Sequence, residues 1–230
     1  MWQWEELPDG IRFSLYSPDG EGGFPGNIRV ITDYRFNEDN ELSVRHYAET
    51  DCATYINMTN HAYFNLCGKG KKITEHRLHI PADRILDTTP AFIPTGKRMN
   101  VKNTPFDFTS LKPIGTDLYA DHEQLLWNKG YNHCYILKDE ISVEMLEAAS
   151  LYEPVTGRKM TVMTDLPAVL LYTAGYYERP DTAVCLETQF YPDTPSHSDF
   201  PSCLVLPEKA YEHCTCLLYT SPSPRDSTSS

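Results

Sequence analysis

Two short strings carry side chains able to move protons. TNHAYFNL, residues 59–66, sets His61 between an amide and aromatic side chains, at the end of an extended run that enters a Gly/Lys loop. VCLETQFYPD, residues 184–193, holds Glu187 in a run whose neighbours are mostly apolar. An imidazole titrates near neutrality, and a carboxyl in a partly desolvated cleft has its pKa raised toward the same range. Brought into one cleft, the two could protonate one oxygen of a substrate while deprotonating another. Each also has a plain structural reading: an isolated histidine is ordinarily a hydrogen-bonded structural residue, and a carboxylate on a strand ordinarily faces solvent. Residue types alone do not decide between these.

The elements that must position the pair are strands. Residues 28–36 (IRVITDYRF) and 41–47 (ELSVRHY) flank the polar cluster Asn37-Glu38-Asp39-Asn40 and predict a hairpin. Residues 146–152 and 160–164 flank EPVTGR and predict a second. Further strands are expected over 53–58, 168–173 and 183–190, and one or two helical turns over 121–129. Prolines, dense between Pro81 and Pro113, predict long ordered loops there. Many strands and little helix make the fold class all-β, an antiparallel sandwich or barrel.

Composition narrows the function classes. The chain has 230 residues with a net charge of −12, which disfavours a nucleic-acid partner because phosphate binding needs clustered Lys and Arg. Lys69, Lys71 and Lys72 are expected to form a solvated loop. No stretch approaches the roughly 20 apolar residues of a membrane helix, and the first ten residues lack a signal-peptide plan. Seven cysteines, none in a CxxC pair, predict reduced thiols and a cytoplasmic setting. The Asn57-Met58-Thr59 sequon is then a chance match. Residues 216–226, CLLYTSPSPRD, resemble a translated sequencing adapter; the expected organisation is a domain over 1–215 and a foreign or disordered tail over 216–230.

Beyond these strings, SPDGEGGFPGN (17–27), PADRILDTTPAFIPTGK (81–97), GYNHCYIL (130–137) and LETQFYPDTP (186–195) stand in the order and spacing of one known family, and FPSCLVLPEKAYEH (200–213) is similar to its closing stretch. With TNHAYFNL they resemble the aldose 1-epimerase (galactose mutarotase) family from Trp2 to about Thr215.

The resemblance implies a galactose-mutarotase-like supersandwich and an isomerase that interconverts the α and β anomers of free aldohexoses, galactose or glucose. It implies that His61 protonates the ring oxygen and that Glu187 takes the proton of the anomeric hydroxyl. It further implies that Asn132 and Tyr172 lie nearby to bind sugar, that no metal or organic cofactor is required, and that the partner is a small sugar. Acid and base are expected about one sugar ring apart, too far for direct contact. Four positions depart from the pattern: Asn132 where the family usually has Asp, Leu170 where it has Gln, and Ala174-Gly175 where it has Gly-Asn. His133, beside Asn132, is expected to face the other way and serve structure. The family's Asn-Arg and Leu-His-Gly-Gly motifs, which precede the block aligned with Trp2, do not occur here. The domain is therefore expected to be partial, and its isolated form inactive and prone to aggregation. Alternatives are a relative acting on a modified sugar, against which the missing arginine cluster speaks, and a non-catalytic carbohydrate-binding sandwich, which has no use for a matched acid and base.

Overall fold

The computed structural model describes residues 1–68 and 70–221. The chain starts with β1 (Gln3–Leu7), β2 (Gly10–Ser17), β3 (Ile28–Phe36), β4 (Glu41–Thr50) and β5 (Thr54–Tyr55). It continues through β6 (Arg77–His79), β7 (Arg84–Thr88), β8 (Pro94–Asn100) and β9 (Lys112–Pro113) to the short helix α1 (Glu123–Asn128). The remaining strands are β10 (Asn132–Ile136), β11 (Leu146–Tyr152), β12 (Lys159–Thr164), β13 (Ala168–Tyr172), β14 (Cys185–Gln189), β15 (Leu204–Val205) and β16 (Tyr211–Thr220).

Nine strands form one sheet in the order β1-β2-β3-β4-β16-β12-β11-β6-β9, and five form another in the order β14-β13-β10-β7-β8. Their pairings are antiparallel, as the all-β antiparallel expectation requires. The inner faces meet in one core, where Leu78, Leu151, Val162 and Leu217 of the larger sheet join Ile85, Tyr135, Val169 and Leu186 of the smaller. Hydroxyls cross the same gap. Thr188 of β14 lies 2.6 Å from Thr215 of β16, which lies 3.2 Å from Thr164 of β12. Thr164 in turn donates to the Cys214 carbonyl at 3.1 Å and accepts the Leu166 amide at 3.2 Å.

Local chemistry explains the strand ends. The Asn37 side chain accepts the amides of Asp39 and Glu41, each at 3.0 Å, and Asn40 takes φ +59°, closing the β3–β4 hairpin. At the start of β2, a Cβ on Gly10 would stand 1.9 Å from the Tyr34 carbonyl oxygen, so that turn tolerates no side chain. The helix expected over 121–129 starts where the His122 ring accepts the Gln124 amide at 3.3 Å. It ends where Lys129 takes the left-handed conformation.

Three expectations need correcting. The run 53–58 makes a strand of only two residues, because beyond Tyr55 its polar groups turn to other partners. The proline-rich stretch contains β7 and β8, with Pro94 at the first position of its strand, where a missing N–H does least harm. The boundary expected after residue 215 does not hold. Residues 216–220 continue β16 between β4 and β12, and Leu217 is in the core. The rest of the expected tail, from residue 222, lies outside the described residues, as does Lys69. The strands β1 and β2 were not expected; alternation there is masked by Glu5, Glu6 and exposed tryptophans. Among the described residues no helix is long and apolar enough to cross a membrane, and all seven cysteines are free thiols.

Because Leu217 is buried in the core, Leu217→Ala is expected to lower the unfolding free energy by about 2–4 kcal/mol. Its half-exposed neighbour Leu218 faces the other side, and Leu218→Ala should cost less. Urea denaturation of both variants checks the assignment of this segment to the domain.

Candidate active site

The register of the small sheet sorts its residues onto two faces. Asn132 stands opposite Tyr172, which stands opposite Cys185; one row on, Cys134, Leu170 and Glu187 are aligned in the same way. Cross-strand partners share a face, so these six side chains belong to the outer face. His133, Leu171 and Leu186 alternate with them and enter the core.

His133 is fully buried, packs on Phe106 and accepts the Asn132 amide at 2.9 Å. Burial pushes its pKa down to about 3, with a small further push from His122, so it is a neutral structural ring, as expected.

His61 reaches the outer face on a loop laid along β14. At one end the Asn57 side chain donates to the Phe190 carbonyl at 3.1 Å and accepts the Phe190 amide at 2.9 Å. At the other, Phe64 and Val184 exchange backbone hydrogen bonds of 2.9 and 3.0 Å. A segment pinned opposite Phe190 and Val184 must bring its middle, His61, alongside Glu187. The same pinning engages the sequon's amide with the backbone. Beyond the bridge, Asn65 donates to the Lys71 and Thr182 carbonyls, both at 2.8 Å, and the Leu66 amide donates to His76 at 3.0 Å. The His61 ring stacks on Tyr63 at 5.0 Å and meets the Tyr172 ring edge-on at 6.1 Å. Tyr63 also contacts Tyr177 at 5.2 Å.

His61 Nε2 lies 3.3 Å from Glu187 Oε1. The expected separation of a sugar ring is therefore not met; the two are in direct contact. The physical reason lies in the surroundings of the carboxylate. Its side chain is only 7 % exposed, its neighbour across the strand is the apolar Leu170, and Oε1 has no aligned hydrogen-bond donor. The imidazole is the polar group within reach. Burial raises the pKa of Glu187, and a charged His61 partly opposes that rise. The half-exposed His61 contrasts with its partner: its side chain is 49 % exposed.

Cys185 was not anticipated. It lies two residues before Glu187, on the same outer face, and is buried. Burial, then the charge of Glu187, pushes its thiol up to about 12. Period-two alternation along the strand could have pointed to it. A surface hollow of about 700 Å³ borders the site through Tyr177 and Asn65, with Tyr176 and Arg179 in its wall. It does not contain His61 or Glu187. Past Tyr172 the chain turns with Ala174 at φ +54°. That conformation costs an L-residue roughly 1–2 kcal/mol, and it falls where the resemblance leads one to expect glycine.

The family described as aldose 1-epimerase matches residues 1–217. The chain belongs to the aldose 1-epimerase family. Galactose mutarotase of Rattus norvegicus is 34% identical over 227 residues, covering 94% of this chain and 64% of the rat protein. Aldose 1-epimerase of Escherichia coli K12 is 32% identical over 217 residues, with 89% and 62% covered. Among solved structures, galactose 1-epimerase of Lactobacillus acidophilus superposes with a TM-score of 0.83 at 25% identity, covering 96% of this chain and 67% of that one. An aldose epimerase homologue from C. elegans gives 0.84 at 24% identity, with 96% and 69% covered, a likeness of fold. The epimerase-family chain described here thus spans about 64% of the length of the rat relative.

The raised pKa of Glu187 has a consequence for stability. Between the usual carboxyl value of 4.5 and its higher folded value, the native state binds the proton more tightly than the unfolded state. Native stability therefore falls as pH rises through that window. Glu187→Gln removes the penalty, so the variant should melt higher than the unmodified chain at pH 8. The difference should shrink toward pH 4, as followed by circular dichroism.

Proposed function

We propose that this chain carries the proton-transfer site of an enzyme that interconverts the α and β anomers of free aldohexoses, galactose or glucose, with His61 as acid and Glu187 as base. The observation that carries the reading is the pairing of a half-exposed imidazole with a buried carboxylate of raised pKa, 3.3 Å apart on the outer face of the small sheet. Family membership supports the reaction class.

A carboxylate short of donors is a stronger base than one in water. A sugar entering the site parts the pair, placing its ring oxygen against His61 and its anomeric hydroxyl against Glu187. The imidazolium gives its proton to the ring oxygen as Glu187 takes the hydroxyl proton, and the bond from C1 to the ring oxygen breaks. Free aldehyde forms, and the C1–C2 bond rotates. Closure on the other carbonyl face returns one proton from Glu187 to the carbonyl oxygen and the other from the new ring bond to His61. The steps are proton transfers throughout, so the residues named suffice without a cofactor. Asn132 and Tyr172, paired across β10 and β13 on the same face, are placed to meet sugar hydroxyls. Asn132 offers one acceptor and two donors there. Seven free thiols support a cytoplasmic setting, and the net charge of −12 speaks against a nucleic-acid partner.

Polarimetry of freshly dissolved α-galactose and α-glucose tests the reading, on a protein that spans the full length of the relatives, of which this chain covers 64%. His61→Ala and Glu187→Gln should each slow mutarotation on the order of 10²-fold or more, the usual scale for a positioned acid or base. Asn132→Asp should shift KM or the galactose-to-glucose preference with little change in kcat. Mutarotation left intact in Glu187→Gln would sink the assignment in favour of a carbohydrate-binding module.

A further inference from the structure

Cys185 has no part in that proton relay, yet it faces the same point as His61 and Glu187. The thiol, a ring nitrogen and a carboxylate oxygen all lie within 4.8 Å of one another. We propose that His61, Cys185 and Glu187 form a binding site for a zinc-like divalent transition-metal ion, and that the bound ion excludes sugar.

Three observations support the site. First, the donor set is apt: thiolate, imidazole and carboxylate are the protein ligands that zinc takes. Second, the geometry is close to complete. Zinc bonds of roughly 2.0–2.3 Å set tetrahedrally put ligand atoms about 3.3–3.6 Å apart. The His61–Glu187 pair is already at 3.3 Å; the thiol, no more than 4.8 Å from either, has at most roughly 1 Å to close. Third, Glu187 is more than nine-tenths buried, and its Oε1 has no hydrogen-bond partner. A buried carboxylate oxygen without a donor is costly, and a cation is what would satisfy it.

Charge also balances. On binding, the Cys185 thiol loses its proton to solvent and its sulfur bonds the metal. His61 uses the lone pair of Nε2, with its proton on Nδ1. One thiolate and one carboxylate then neutralise the two positive charges, which suits a half-buried position. The ligands reach the metal from the sheet and the loop above it, leaving the fourth position toward solvent for water. A metal so held occupies the groups that would engage the sugar. The second half of the proposal, exclusion of sugar, rests on the function proposed above; the first half does not.

Cobalt(II) is the probe, because thiolate ligation gives it a charge-transfer band in the near ultraviolet. One equivalent added to the reduced protein should produce the band, and zinc should abolish it. Cys185→Ser should lose the band, whereas Cys52→Ser, at an exposed thiol, should keep it. Cys185→Ala, checked by its melting curve, replaces the serine variant if that one misfolds. His61→Ala changes a loop residue and should retain the band with at least about tenfold weaker cobalt binding, since losing a ligand costs no less than losing a ligand's own hydrogen-bond partner. No band in the unmodified chain, a band that survives loss of Cys185, or unchanged affinity in His61→Ala overturns the site. If the band behaves as stated and α-galactose raises the apparent Kd for cobalt, both halves stand. If galactose has no effect on a band that requires Cys185, the metal site stands and the exclusion of sugar fails.

Discussion

Leu186, Glu187 and Thr188 are consecutive on one strand, and the pleat sends the first and third inward and the second outward. Leu186 is in the main core and Thr188 is hydrogen-bonded to Thr215 of the opposite sheet. Both neighbours of the carboxylate are thereby committed to the gap between the sheets. A slip of one residue would bury the charge in that gap and expose the two side chains that now close it. The loop bearing His61 is fastened to the residues just outside the same strand, so its position follows from that register. His61 and Glu187 are therefore brought together by a single antiparallel alignment, although 126 positions separate them in sequence.

What could be read from the chain depended on how locally each feature is encoded. The β3–β4 and β11–β12 hairpins were legible because each pairs neighbouring runs across a turn whose residues announce it. The short helix was legible for the same reason. The strand expected over 53–58 failed because Asn57 spends its amide on Phe190, far along the chain, a partnership no local pattern records. Residues 216–220 looked foreign by composition, yet they fill a slot between β4 and β12 that only the assembled sheet defines. His61, Glu187, Asn132 and Tyr172 were picked out by motif, and the structure brings them to one face. Their spacing was not legible, since the contact at 3.3 Å reflects how Leu170 starves the carboxylate of polar neighbours.

That starvation sets stability against chemistry. A carboxylate held beside leucine and away from donors raises the free energy of the folded chain whenever it is ionised. Other buried carboxylates are better served: Asp33 accepts two bonds from Arg12, at 2.6 and 2.8 Å, and its pKa is lowered mainly by them. Glu153 caps its own turn through the amides of Val155 and Thr156. Among the described residues, the contrast marks Glu187 as a carboxylate whose environment is poorly suited to folding alone.

The hydroxyls joining the sheets carry a direction as well as a link. Each threonine has one proton to give. Thr164 gives its proton to the Cys214 carbonyl, so the hydrogen between Thr164 and Thr215 must come from Thr215, and the one between Thr215 and Thr188 from Thr188. One backbone carbonyl thus fixes the orientation of the whole row, and the three rotors turn as a unit or not at all. Their worth is correspondingly unequal: Thr188 is a terminal donor, whereas Thr215 is a relay whose loss leaves Thr188 without its acceptor while Thr164 keeps the Cys214 carbonyl and the Leu166 amide.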